Sequence, residues 1–202
     1  MKTMILAGAT VALATVAQAG TIATLPPNNG SGGVFMEITP TGPGLLLTSF
    51  AGYFNGAAGS TGNVEIWTRP GNYAGFTASN AGWTLADTVT ITSAGTTTLS
   101  GHTSFNSAIA IPAGGTTSVY IAGTISASQL RYQGTGTTST STFSNADLTL
   151  FSNIARTGAI PFGGSQFTPR AFAGEINYDF IPAPASLALM GLGGLVAGRR
   201  RR

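Results

Sequence analysis

At 202 residues the chain has room for one substantial domain, and with no cysteine that domain must rest on its core without disulfides. The formal charge of +3 sits at the ends: Lys2, Arg199, Arg200, Arg201 and Arg202 are five of the nine basic residues. Between Thr21 and Phe180, Arg69, Arg131, Arg156 and Arg170 stand against six carboxylates, a balance of −2, so the basic pI gives no reason to expect a nucleic-acid partner.

The first 19 residues, "MKTMILAGATVALATVAQA", place Lys2 before an apolar run from Met4 to Val16 and end in Ala17-Gln18-Ala19. Those are the three parts of a secretory signal peptide, with cleavage after Ala19, and the run is short for a membrane span. Residues 20–180 then form the expected ectodomain. "NNGSGG", Asn28 to Gly33, reads as a linker or turn after the cleaved signal.

Beyond it the apolar residues recur every second position, as in half-buried antiparallel strands. In "GVFMEIT", Val34, Met36 and Ile38 share one face, with Phe35, Glu37 and Thr39 on the other. "LADTVTIT" groups Leu85, Val89 and Ile91; "FNSAIAI" groups Phe105, Ile109 and Ile111; "SVYIAGTI" groups Val119, Ile121 and Ile125. "QGTGTTSTSTFSN", Gln133 to Asn145, reads as a polar loop or flexible insertion. In "FAGEINYDF", Phe172, Ile176, Tyr178 and Phe180 face one way, and Glu175, Asn177 and Asp179 the other. Turn pairs such as Pro43-Gly44, Pro70-Gly71, Ala94-Gly95, Gly114-Gly115 and Gly163-Gly164 separate these runs. Eight to ten strands, no amphipathic helix and no internal repeat predict an all-β fold, an antiparallel β-sandwich of jelly-roll type.

Chemistry is sparse along this stretch. His102 is the only histidine, and no Gly-x-Ser-x-Gly elbow accompanies it, so "SGHTSF" reads as a turn between strands. Glu65 with Asp87, or Glu175 with Asp179, has no reason to reach glycosidase spacing, and solvation explains the outward Glu175 and Asp179. Asp147 with Asn145 is thin support for a calcium site. No phosphate loop or dinucleotide fingerprint appears, and no metal or cofactor site is assigned.

The one stretch that invites a ligand is "NVEIWTRPGNYAGFTASNAGWT". With Val64 and Ile66 turned to the core, Glu65, Trp67 and Arg69 line the opposite face, and Tyr73, Phe76 and Trp83 follow in Gly-rich loops. An aromatic beside a carboxylate and a guanidinium can stack on a sugar ring and bond its hydroxyls. The competing reading has Trp67 covered by the following loop and Glu65 paired with Arg69 along the strand.

Residues 181–202, "IPAPASLALMGLGGLVAGRRRR", close the chain. Pro182 and Pro184 precede an uncharged run, Leu187 to Ala197, of Leu, Ala, Met, Val and Gly. With its flanks it reaches the lower limit for a transmembrane helix, and Arg199, Arg200, Arg201 and Arg202 would hold its end in the cytoplasm.

This three-part tail resembles the PEP-CTERM sorting signal of exported Gram-negative proteins: the motif Pro182-Ala183-Pro184, the short span, the arginine cluster. Ala183 stands where that family usually has Glu. The stretches "WTRPGNYAGF" and "PFGGSQFTPRAFAGEINYDF" are similar to the β-rich ectodomains common among such proteins. The resemblance implies an exosortase-type processing enzyme as partner, transient attachment to the membrane, and a surface or extracellular location near polysaccharide. It makes the chain a substrate of that machinery, not an enzyme. A structural or adhesive role in the envelope or matrix is the expectation. A carbohydrate-binding module using Trp67, Tyr73, Phe76 and Trp83 is the alternative, and a hydrolase with its acids on loops stands third.

Overall fold

Alternating residues sort to two faces only if strands pair, and they do so throughout the computed structural model, which describes residues 19–134 and 141–181. The signal segment with Ala17, the sorting motif Pro182, Ala183 and Pro184, the apolar run after it and Arg199 to Arg202 lie outside the described residues. Among the described residues no helix is long and apolar enough to cross a membrane.

Eight principal strands come first to hand: β1 (Gly20–Ala23), β2 (Asn29–Pro40), β3 (Leu45–Gly52), β4 (Thr61–Pro70), β5 (Thr84–Thr92), β6 (Thr103–Ile111), β7 (Thr117–Gly123) and, last in the chain, β13 (Gly174–Phe180). Between β7 and β13 lie a single 3-10 turn (Ser126–Ser128) and five further strands, β8 (Leu130–Gln133), β9 (Thr142–Ser144), β10 (Leu148–Thr157), β11 (Gln166–Phe167) and β12 (Ala171–Phe172). One sheet runs β1-β13-β3-β6. The other runs β11-β10-β2-β7-β4-β5, with β8 added to β2, β12 to β8 and β9 to β10. Pairings between the named strands are antiparallel.

The two sheets share one apolar interior. Val34, Met36 and Ile38 of β2 and Val119 and Ile121 of β7 meet Leu45, Leu47 and Phe50 of β3, Ile109 and Ile111 of β6 and Ile176 of β13. In β2, β6, β7 and β13 these faces are the ones that alternation assigns; in β3 a register shift between Leu47 and Ser49 brings Phe50 to the inner face. β7 is buried along its whole length, because the outer face of the larger sheet is covered as well. There Phe35, Tyr120, Tyr73, Trp83 and Phe162 make a second, aromatic core.

Three departures from simple alternation have local causes. Opposite the β4 step from Ile66 to Trp67, β5 carries an extra residue: Ile66 pairs with Asp87 and Trp67 with Leu85, leaving Ala86 as a bulge. Leu85 therefore joins the outer face and is exposed, whereas Asp87 turns inward. Strand β7 stops at Gly123, so Ile125 leaves the core face and is exposed.

The third departure is "NNGSGG", which is not a linker: from Asn29 onward it is the first half of β2. Its glycines are seats for tyrosine rings. A Cβ on Gly30 would come within 2.3 Å of the Tyr132 hydroxyl, and one on Gly33 within 2.6 Å of the Tyr120 ring. Gly20 of β1 lies under Tyr178 in the same way. Glycine without a side chain lets an aromatic ring lie flat on the neighbouring strand.

Burial pushes the Tyr120 hydroxyl up to about 12, and burial raises Tyr73 as well. Both stay neutral in the fold at a pH where an unfolded tyrosine, near 10, ionises. The stability they carry is therefore complete below about pH 10 and lost as pH rises toward 12. Thermal melts between about pH 8 and 12 should show the midpoint flat at first and falling above 10, with tyrosinate absorbance rising at the melt. Gly33→Ala should lower stability by about 2 kcal/mol, an overpacking cost, read from the urea midpoint together with the near-ultraviolet aromatic signal.

Candidate functional site

Strand β4 turns Val64 and Ile66 into the main core and Glu65, Trp67 and Arg69 outward, as the alternation requires. Outward on this sheet is not into water. Two connections, residues 71–83 after β4 and 158–165 after β10, fold over the face and supply Tyr73, Trp83 and Phe162 to the aromatic core. Tyr120 stacks on Phe35 at 3.9 Å between centroids with an 11° interplanar angle, and Phe162 sits 4.6 Å from Tyr120. Polar atoms inside are matched: the Trp83 Nε1 donates to the Phe76 carbonyl at 2.7 Å, and the Phe162 amide donates to the Tyr120 hydroxyl at 3.2 Å. Phe162 holds a left-handed backbone (φ 61°), which drives its ring under the loop and leaves Ile160 facing solvent.

Arg156 fastens the two connections together. Its Nε donates to the Thr77 carbonyl, and its Nη1 donates to the carbonyls of Gly164 at 2.8 Å and Gly163 at 3.3 Å. Gly164 cannot take a side chain here: its φ is 66° and a Cβ would lie 1.9 Å from the Thr157 carbonyl. Between the fastened loops opens a cleft of about 460 Å³, lined among others by Glu65, Trp67, Ser79, Asn80, Ile160 and Phe162.

The residues singled out in the sequence thus divide into three groups. Glu65 and Trp67 meet in the cleft, where the indole Nε1 donates to Glu65 Oε2 at 2.9 Å and the ring stands edge-on to Phe162 at 5.3 Å. Arg69 does not pair with Glu65. Its guanidinium lies 3.7 Å over the ring of Phe76, which is 42% exposed. Tyr73 and Trp83, at 3% and 8% exposed, are walls of the aromatic core and offer no ligand surface. Glycine-rich loops are read as open from sequence, but here the loops close down on their own aromatics. Ser79, Asn80 and Ile160 were missed; the Gly-rich turn that projects Ile160 outward is the signal that marked its loop.

The remaining polar candidates are engaged elsewhere. Asp87 Oδ2 accepts the Asn106 amide at 2.6 Å, and Oδ1 accepts the Asn106 side chain at 2.8 Å, joining β5 of one sheet to β6 of the other. Glu65 is on the opposite face of its strand pair, so the two carboxylates do not converge. Asn145 and Asp147 bond Tyr178: the Asn145 side chain donates to its hydroxyl at 2.8 Å, and that hydroxyl donates to Asp147 Oδ2 at 2.8 Å.

His102 is not an isolated turn residue. It sits on the outer face of the four-stranded sheet, with Nε2 at 3.0 Å from Glu175 and Nδ1 at 3.1 Å from the Asn177 amide and 3.4 Å from Ser49 Oγ. The Asn177 donor assigns the acceptor role to Nδ1, so Nε2 carries the proton toward Glu175. Ser49 is 6% exposed, and its oxygen accepts the Asn177 side chain at 3.1 Å.

No protein-family model matches the chain, and no curated protein matches it. Arg156→Ala would leave three carbonyls without their donor and untie the loops. A stability loss of about 2 kcal/mol is expected from those lost charge-assisted bonds, with earlier proteolysis in residues 71–83 and 158–165 than elsewhere.

Proposed function

We propose that this protein is exported by a Gram-negative bacterium, loses residues 1–19, and is held in the membrane by residues 181–202 until an exosortase-type enzyme processes it. Its role on this reading is structural or adhesive, at the cell surface or in the extracellular matrix. The ectodomain is read as a jelly roll. Its principal strands run first-eighth-third-sixth in one sheet and second-seventh-fourth-fifth in the other, and β8 to β12 widen the second sheet.

The observation that carries the proposal is where the strands begin and end. β1 starts at Gly20, directly after the expected cleavage point, and β13 ends at Phe180, just short of Pro182. The strands of the described residues lie between those two points, as expected of a domain from which both segments are removed. Gly20 also pairs with Tyr178, which puts the first and last strand ends side by side on one edge. Ile181, whose amide donates to the Gly44 carbonyl at 2.8 Å, leaves from that same end. The carbohydrate-binding alternative draws on the meeting of Glu65 and Trp67 in the cleft.

Mass spectrometry of the mature protein from host membrane and medium fractions tests the main reading. The expected product begins at Gly20 and ends near Pro182-Ala183-Pro184. A chain that keeps Arg202 in the membrane fraction would make the tail a plain anchor and remove the exosortase. A chain that keeps Met1 in the cytoplasm would overturn export itself.

A further inference from the structure

Ile160 is 75% exposed, the most exposed of the large apolar side chains described. The fold gives a reason for Phe162 to point inward but none for an isoleucine at 160, where a polar residue would serve the turn equally well. It lines the same cleft as Trp67. An exposed aliphatic side chain and a partly exposed indole lining one cleft offer two apolar contacts to the C–H face of a ring.

The polar side of the cleft has a definite charge. Glu65 uses Oε2 to hold the indole, and its Oε1 has no hydrogen-bond partner among the described residues. Asn80 and Ser79, both exposed, line the cleft with it. Among the described residues no cation lines the cleft directly: Arg69 covers Phe76, and Arg156 reaches it only through the carbonyl of Gly163, a lining residue, to which its Nη1 donates at 3.3 Å. The cleft therefore carries a carboxylate, an amide and a hydroxyl beside apolar side chains. Its volume, about 460 Å³, lies within the range of small-molecule sites.

We infer that this cleft is a saccharide subsite for a neutral or amine-bearing pyranose, with Trp67 and Ile160 packing on the ring and Glu65 and Asn80 bonding its hydroxyls or ammonium. Glu65 is the carboxylate among the lining residues, and none of those residues is an Arg or Lys that could pair with the carboxylate of an acidic sugar. The inference rests on the reading that the domain is displayed among extracellular polysaccharide, and it names the class of polysaccharide it meets.

Calorimetric titration of the full chain, held in a detergent without a sugar headgroup, tests it with three probes: a glucosamine hexamer, a glucose hexamer and an oligouronate. Binding of at least one of the first two, with none of the uronate, is expected. Ile160→Ser and Asn80→Ala, at exposed positions whose backbone carbonyls close turns but whose side chains make no hydrogen bond among the described residues, should weaken that binding. Glu65→Gln should weaken the glucosamine hexamer about tenfold, as for one hydrogen bond to a charged group, and affect the glucose hexamer less. Absence of binding to both sugars, equal binding of the uronate, or indifference to Ile160→Ser and Asn80→Ala would each overturn the subsite. These outcomes are separate from the display reading: a chain found processed at the surface that binds neither sugar loses only the subsite, whereas a chain retained in the cytoplasm loses the display role whatever it binds.

Discussion

The flat stacking of Tyr120 on Phe35 is the contact on which the outer half of the molecule depends. It exists because Gly33, on the strand beside β7, has no side chain to lift the tyrosine away. Once the pair lies on the sheet it presents an apolar platform, and water there is displaced by Tyr73, Trp83 and Phe162 from two distant connections. Those connections would otherwise be long surface loops. Their order, and with it the cleft between them, follows from a stacking contact at the centre of the sheet.

That platform also explains how far the sequence could be read. Alternation in β2, β6 and β13 assigns the inner faces of the sheets correctly, because one face of each meets a continuous apolar interior. It says nothing about what covers the other face. Phe35 and Tyr120 were the signal: where the outward positions of neighbouring strands carry rings in place of threonine, something must cover them. In β5 the pattern fails for another reason. Asp87 occupies an inward position, since the corner between the sheets needs a hydrogen-bond acceptor for Asn106, and the bulge at Ala86 turns Leu85 the other way.

For the site, the sequence contained the pairing of Glu65 with Trp67 through their shared face, because residues two apart on a strand are side by side. It did not contain their neighbours. Asn80 and Ile160 come from loops separated by about half of the ectodomain, and their approach is set by Arg156. His102 and Glu175 likewise meet only through sheet order, each having a plain local reading as turn and solvated carboxylate. Long-range polar contacts of this kind leave no period in a sequence.

The few charges of the domain are placed in a consistent way. Arg156 bonds carbonyls, Arg69 covers a ring, Asp87 holds amides, Glu65 holds an indole and Asp147 a phenol. Among the described residues the one basic side chain in contact with a carboxylate is His102, with Nε2 at 3.0 Å from Glu175. Charges that act on dipoles and rings at contact distance are little affected by mobile ions, whereas opposed surface charges weaken as the Debye length contracts. In a domain assembled this way, screening by mobile ions removes little of what holds it folded.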